Sequence, residues 1–331
     1  MSELQAPICF TPILQRTIWG GNAIVRWKQL SGKQPHNVGE SWEICDLGDV
    51  ATIVADGPYA GQTLRQLIQR YGAALLGQAN FEKYGDNFPL LIKIIDSHSD
   101  LSIQVHPDDA MAQRCEGKPY GKTEMWYIVN REPEATLVNG FCNTISAEDY
   151  EQLVATGTLT EHLNTFATEP GDFYYIPAGR IHAIGAGNLL IEIQQASDLT
   201  YRVYDYNRID DRGYKRDLHI SQAKEALHFE AEEHCREQDP LTKDACVELV
   251  DSAYFTTNVY HLTAPKTIAH PDLDSFRILV AFKGEAEVRT DAGTSVRLSE
   301  GNSIFLPAAL TSIAVHPLTN DFSFLETYVK G

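Results

Sequence analysis

Apolar and polar residues alternate through Leu101-Ser102-Ile103-Gln104-Val105-His106, which predicts a half-buried strand with Ser102, Gln104 and His106 on one face. Lys122, Glu124 and Trp126 alternate in the same way with Thr123, Met125 and Tyr127. Gly171 to His182 reads as a turn, an apolar strand, a second turn at Pro177-Ala178-Gly179 and a histidine. The apolar run after Phe88, broken by Lys93, predicts a buried strand. Residues 63–71 carry apolar positions at helical spacing, with Thr63 as N-cap and Gly72 as a stop. Ser146 opens a capping-box pattern, so residues 148–168 are predicted mostly helical. Residues 7–56 read as short strands with turns at Gly20-Gly21 and Ser31-Gly32. Residues 171–206 read as strand, 217–236 as helix, and the chain from 245 onward as strand again.

The polar stretch from Glu230 to Pro240 is the expected domain boundary, dividing the chain into 1–236 and 237–331. Gly301 to Ser312 repeats the glycine, apolar strand and proline spacing of Gly171 to His182. Ala309 and Ser312 stand where the first copy has Gly179 and His182, and no Gln-x-His strand precedes the second copy. Two similar small barrels are therefore expected, with a metal kept only in the first.

Composition narrows the partners. A formal net charge of −18 over 331 residues argues against nucleic acid or an anionic membrane, and a phosphorylated substrate would need local Lys or Arg. Met1 to Pro7 has neither the basic nor the apolar region of a signal peptide, and no apolar run approaches the roughly 18 residues of a membrane span. The six scattered cysteines form no C-x-x-C pair, so reduced thiols and a cytoplasmic location are expected.

Two histidines, a carboxylate and an amide facing inward across a small barrel would hold a divalent ion with one position open, as a catalytic metal requires. These are His106, His182, Glu124 and Gln104. Gln104 is the weakest donor of the four and has a second reading, as a group that hydrogen-bonds a ligand. Gly-x5-Pro-x-Gly-x2-His at Gly171 to His182 fits the second cupin signature. Gln104-x-His106 stands where the first signature has His-x-His, with Glu124 delayed by an insertion. In this the chain resembles the zinc-dependent class I mannose-6-phosphate isomerases in their short bacterial form. The resemblance also runs through Trp19-Gly20-Gly21, Gly39 to Glu43, Ser102 to Asp108, Gly121 to Trp126 and Glu192 to Arg202.

The resemblance implies a mainly β fold of two cupin (jelly-roll) barrels, with a few helices inserted in and after the N-terminal one. It implies one Zn2+ per chain on Gln104, His106, Glu124 and His182. The family's active-site arginine falls on Arg202, its lysine beside the metal on Lys122, and a strand glutamate on Glu192. The implied reaction interconverts mannose 6-phosphate and fructose 6-phosphate through a cis-enediolate, so it needs an oxyanion stabiliser, a base and a phosphate anchor. Arg202 suits either the enediolate or the phosphate. Glu192, Asp198, His98 and a zinc-bound water are the candidate bases. If Glu192 is not the base, its alternative is a salt bridge that orients Arg202. Ser102 and Asp198 are expected to line the pocket, and Lys93 is a phosphate-binding candidate whose alternative is a snorkelling strand-end lysine. Trp19, Trp42 and Trp126 read as core or pocket wall.

Two readings lie in other classes: a metal-dependent cupin oxygenase and a non-catalytic sugar-phosphate-binding bicupin. The lysine and arginine expected at the site, and the proton-transfer group Glu192, count against them. Zinc, manganese and iron all accept these donors, and stereoselectivity at C2, oligomeric state and metabolic direction have no signature in the chain.

Overall fold

A computed structural model describes residues 4–32, 35–209 and 213–331. Strands dominate because β-branched and aromatic residues alternate with polar ones through most of the chain. The N-terminal barrel has one sheet of seven strands: Glu237–Gln238, Asp172–Ile176, Glu124–Arg131, Asn188–Gln195, Leu90–Ser97, Ile13–Gly21 and Val38–Ile44, in that order. Its facing sheet has five: Leu163–Ala167, Thr136–Phe141, His182–Ile184, Ile103–Val105 and Tyr201–Tyr204. Trp126, Tyr174, Ile176 and Leu190 fill the space between them.

The C-terminal barrel repeats this plan with a five-stranded sheet (Cys246–Asp251, Thr256–Leu262, Phe322–Tyr328, Arg277–Lys283, Ser303–Leu306) facing a four-stranded one (Lys266–Ala269, Ser312–Pro317, Glu285–Thr290, Ser295–Ser299). Phe88 of the first barrel packs on Phe276 of the second at 4.9 Å between ring centroids, and Phe276 stacks on Phe305. The apolar core is thus continuous across both barrels.

The capping predictions have direct counterparts. Thr63 and Gln66 form a reciprocal capping box on Leu64–Tyr71, which Gly72 ends at φ +48, and Ser146 with Asp149 does the same for Ala147–Thr156. Three expectations fail. The helix after Ser146 stops at Gly157, and Leu163–Ala167 is a strand on the sheet edge. Residues 217–236 hold only the short helix Ile220–Ala226; beyond it the chain docks by extended contacts, with His228 N on Gly179 O and Glu232 N on Phe141 O. Gly20-Gly21 is no turn but the end of strand Ile13–Gly21, glycine because a Cβ on Gly20 would lie 2.3 Å from Gly39 N.

The register shows which residues stand in the second barrel at the places of the candidate ligands. Glu124 pairs with Ile176, and Arg277 pairs with Leu306, the residue equivalent to Ile176 in the repeat. Gln104 opposite His182 corresponds to Ala269 opposite Ser312. Glu192 opposite Trp126 corresponds to Glu326 opposite Leu279. The positions of Glu124, His182 and Gln104 thus hold Arg277, Ser312 and Ala269. Arg277 Nη1 lies 3.1 Å from Glu326 Oε1, and both side chains are buried. His270 and Tyr260 satisfy Oε2 of the same carboxylate, each at 3.1 Å.

Burial alone would raise the Glu326 pKa, but His270 and Arg277 hold it below the ordinary 4.5. A depressed carboxylate stabilises the fold fully above its unfolded value and loses that contribution as pH falls through the folded one. Arg277→Met, which strands the Glu326 charge, should therefore lower the unfolding free energy at pH 7 by about 3–5 kcal/mol. Denaturant titrations at several pH values should show the gap narrowing below pH 4.5.

Candidate active site

Strand Ile103–Val105 pairs with His182–Ile184 on one side and Tyr201–Tyr204 on the other, which sets Gln104 beside both His182 and Arg202. The turn before His182 is tight: Gly179 has φ +88, and a Cβ there would lie 2.7 Å from the His228 ring. Gly179 N also bonds His106 O at 2.9 Å, tying the two histidine segments together. Glu124 enters from the facing sheet.

These elements bring His106, Glu124 and His182 together, fully buried, with ligand atoms within 4.8 Å of one another. Each histidine donates Nδ1–H to a backbone carbonyl, His106 to Leu199 O and His182 to Arg180 O, both at 2.8 Å. That leaves both Nε2 lone pairs converging, 3.1 Å apart. Each Nε2 also stands 3.5 Å from an oxygen of Glu124. Burial, with the Lys122 charge, lowers the His106 pKa to about 3, and burial also lowers that of His182, so both rings are neutral. Burial opposes ionisation of Glu124, but the Lys122 charge 3.0 Å away overcomes it and holds the carboxyl well below its usual range.

The outcome is a buried carboxylate facing two neutral imidazoles. Lys122 Nζ stands 3.0 Å from Oε2, yet neither carboxylate oxygen accepts a well-formed hydrogen bond. Unsatisfied buried oxygens and aimed nitrogen lone pairs are what a divalent cation needs, so the residues present fit a metal. Gln104 stands beside this donor set: its amide nitrogen lies 3.3 Å from His182 Nε2, and a half-turn of the amide would bring Oε1 to that place.

Above these groups opens a polar pocket of about 190 Å³. Its lining includes six of the remaining candidates: Lys93, Ser102, Lys122, Glu192, Asp198 and Arg202. His98 is not among them. It borders a larger cavity of about 800 Å³ beside Gly20 and Asp96, outside the metal pocket.

Lys93 is no snorkelling strand end. It is buried mid-strand opposite Glu192, 3.0 Å from that carboxylate and 3.6 Å from Glu40. Burial would lower its pKa, but the two glutamates outweigh that and keep it charged. Glu192 Oε2 accepts from Trp126 Nε1 at 2.9 Å, so its ion pair is with Lys93 and not with Arg202. Arg202 is anchored instead by Nε on Ser102 Oγ at 3.3 Å and by Nη1 on Asp217 O at 3.1 Å. Burial and the neighbouring Arg216 pull its pKa down.

Sequence reasoning gave no pocket role to Glu40, Thr200 or Arg216, which also line the cavity. Glu40 was visible, since it alternates with Trp42 next to the Gly39–Glu43 motif; Trp42 Nε1 donates to it at 2.6 Å. Arg216 follows an irregular segment without periodicity and offered no such signal.

Similarity to known proteins agrees with this geometry. The family model for the catalytic domain of type I phosphomannose isomerase matches residues 8–147, and that for the mannose-6-phosphate isomerase cupin domain matches 246–324. Mannose-6-phosphate isomerase ManA of Bacillus subtilis is 34% identical over 92% of this chain and 94% of its own. A mannose-6-phosphate isomerase of Streptococcus mutans is 38% identical over 67% of each chain. The crystal structure of the mannose 6-phosphate isomerase from Bacillus subtilis superposes with a TM-score of 0.85 at 30% identity, covering 98% of this chain and 100% of that one. A phosphomannose isomerase variant from Salmonella typhimurium shares the fold, with a TM-score of 0.80 at 18% identity and coverage of 98% and 100%. The chain belongs to the type I phosphomannose isomerase family, the mannose-6-phosphate isomerases.

Proposed function

We propose that this chain interconverts mannose 6-phosphate and fructose 6-phosphate in the pocket over His106, Glu124 and His182, with a zinc ion held by these three residues and Gln104. The observation that carries the zinc assignment is the ionised Glu124, buried with unmatched oxygens against two pre-anchored imidazoles. Two imidazoles, one carboxylate and one amide form a nitrogen–oxygen set that zinc accepts with a position to spare. When bound, the ion supplies a Lewis acid that polarises the substrate oxygens on C1 and C2.

The remaining work falls to the chain. Glu192 takes the proton from C2 of the aldose and returns it to C1 of the cis-enediolate, which yields the ketose. Lys93, 3.0 Å from its carboxylate, and Trp126 fix the direction of Glu192. Lys122 reaches into the pocket beside Glu124, where its ammonium hydrogen-bonds the substrate oxygens as the proton on O2 is exchanged for one on O1. Ser102 bridges Gln104 and Arg202 and so fixes both against the pocket wall. Asp198, exposed at the rim, binds sugar hydroxyls.

Residues 1–236 carry this chemistry and residues 237–331 support it, since every pocket residue precedes Asp217. Among the described residues no helix is long and apolar enough to cross a membrane. All six cysteines are free thiols, which supports a cytoplasmic location.

Coupled-assay turnover of mannose 6-phosphate should vanish on chelation and return with zinc, and metal analysis should find one zinc per chain in the native protein and none in Glu124→Gln. Full turnover by metal-free protein would overturn the metal assignment. Glu192→Gln should lower kcat by roughly 100- to 10,000-fold while keeping its zinc. A loss of that size in Asp198→Asn with Glu192→Gln nearly normal would move the proton transfer to Asp198.

A further inference from the structure

Arg202 does not stand alone at its end of the pocket. Arg216 also lines the cavity, and its Nε and Nη2 grip Asp205 Oδ2 and Oδ1 at 2.7 and 2.5 Å. Asp205 is buried and receives Arg208 as well, so it is a fixed post for Arg216 rather than a surface partner. Among the described residues, Arg202 Nη2 and Arg216 Nη1 have no hydrogen-bond acceptor.

Placing two guanidiniums on one small cavity is costly. The Arg216 charge, after burial, is the main influence lowering the pKa of Arg202. Among the described residues, the Arg216 and Arg208 charges act against that of Arg202 while Asp205 and Asp217 offset them, in a chain whose net charge is −18. Like charges held together with open donors are stabilised by an anion between them, and the planar guanidinium suits phosphate oxygens.

Position along the pocket decides what the anion is. From the metal ligands outward the contacts run from His182 to Gln104 at 3.3 Å, Gln104 to Ser102 at 3.3 Å and Ser102 to Arg202 at 3.3 Å. Ser102 thus stands between the arginines and Gln104, the outermost of the candidate ligands. A sugar phosphate carries its dianion away from C1 and C2, on C6.

We propose that Arg216 is a substrate-binding residue, forming with Arg202 a two-guanidinium subsite for the C6 phosphate, and that Asp205 positions it. This rests on the isomerase reading above and assigns Arg202 to the phosphate rather than to the enediolate.

The test uses zinc-loaded full-length protein. Calorimetric titration with inorganic phosphate reads the subsite without turnover, and kinetics with mannose 6-phosphate read it in the reaction. Arg216→Gln should weaken phosphate binding about tenfold or more and lower kcat/KM by a similar factor, carried mainly by KM, as loss of a charge-assisted hydrogen bond implies. Arg216→Lys, which keeps the charge but not the fork, should fall between the two and shows that the effect is not a folding defect. Asp205→Asn should move KM in the same direction by less. Wild-type phosphate affinity and KM in folded Arg216→Gln would overturn the subsite while leaving the isomerase intact. Absence of turnover by wild-type enzyme would instead strike the isomerase reading itself.

Discussion

The active site is organised by the ionised carboxylate of Glu124, buried at the centre of the first barrel. A buried charge is tolerated only where compensating charge and dipoles surround it. Lys122 supplies part of that compensation at 3.0 Å, and the two imidazoles supply lone pairs rather than protons because their Nδ1 atoms are committed to backbone carbonyls. The residual demand is for a cation. From it follow the Gly179 turn that allows His182 its approach and the strand pairing that sets Gln104 beside it.

The second barrel solves the same electrostatic problem differently. Its strands follow the same order, yet the place of Glu124 holds Arg277, and the carboxylate sits instead at the place of Glu192. A guanidinium is a cation that cannot dissociate, so Glu326 is neutralised within the chain. The barrel lacks the ligand set, and Leu279, Ile304 and Phe324 pack together at the places that Trp126, Tyr174 and Leu190 hold in the first barrel. The repeat therefore retains architecture while separating chemistry from support.

Much of this was legible in the chain. Strict alternation in residues 101–106 and the Gly171 to His182 spacing reported strands and ligands, because period two leaves only one face for the polar residues. Thr63 and Ser146 reported helix starts through local capping chemistry that needs no tertiary context. The failures share a cause. Residues 227–236 have helix-compatible composition, but docking on Gly179 and Phe141 outweighs propensity. Lys93 stood between a phosphate-binding candidate and a snorkelling lysine because its two glutamate partners lie on strands distant in sequence. Arg216 was invisible for a related reason, since its place depends on its pairing with Asp205.

The acidity of the chain gains meaning from that last residue. An overall charge of −18 repels a sugar phosphate at long range, but mobile ions screen such a field within about 10 Å. Inside the pocket the near charges dominate, and they are sorted by position. Glu40 and Glu192 are paired by Lys93 on one wall, while Arg202 and Arg216 also line the cavity, each with a guanidinium nitrogen that meets no acceptor among the described residues. Binding energy drawn from a phosphate held there is available to fix the sugar carbons against Glu192, since contacts remote from the reacting atoms can be spent on orientation. The register of Arg202 against Gln104 thus sets the arginines one strand away from the candidate ligands.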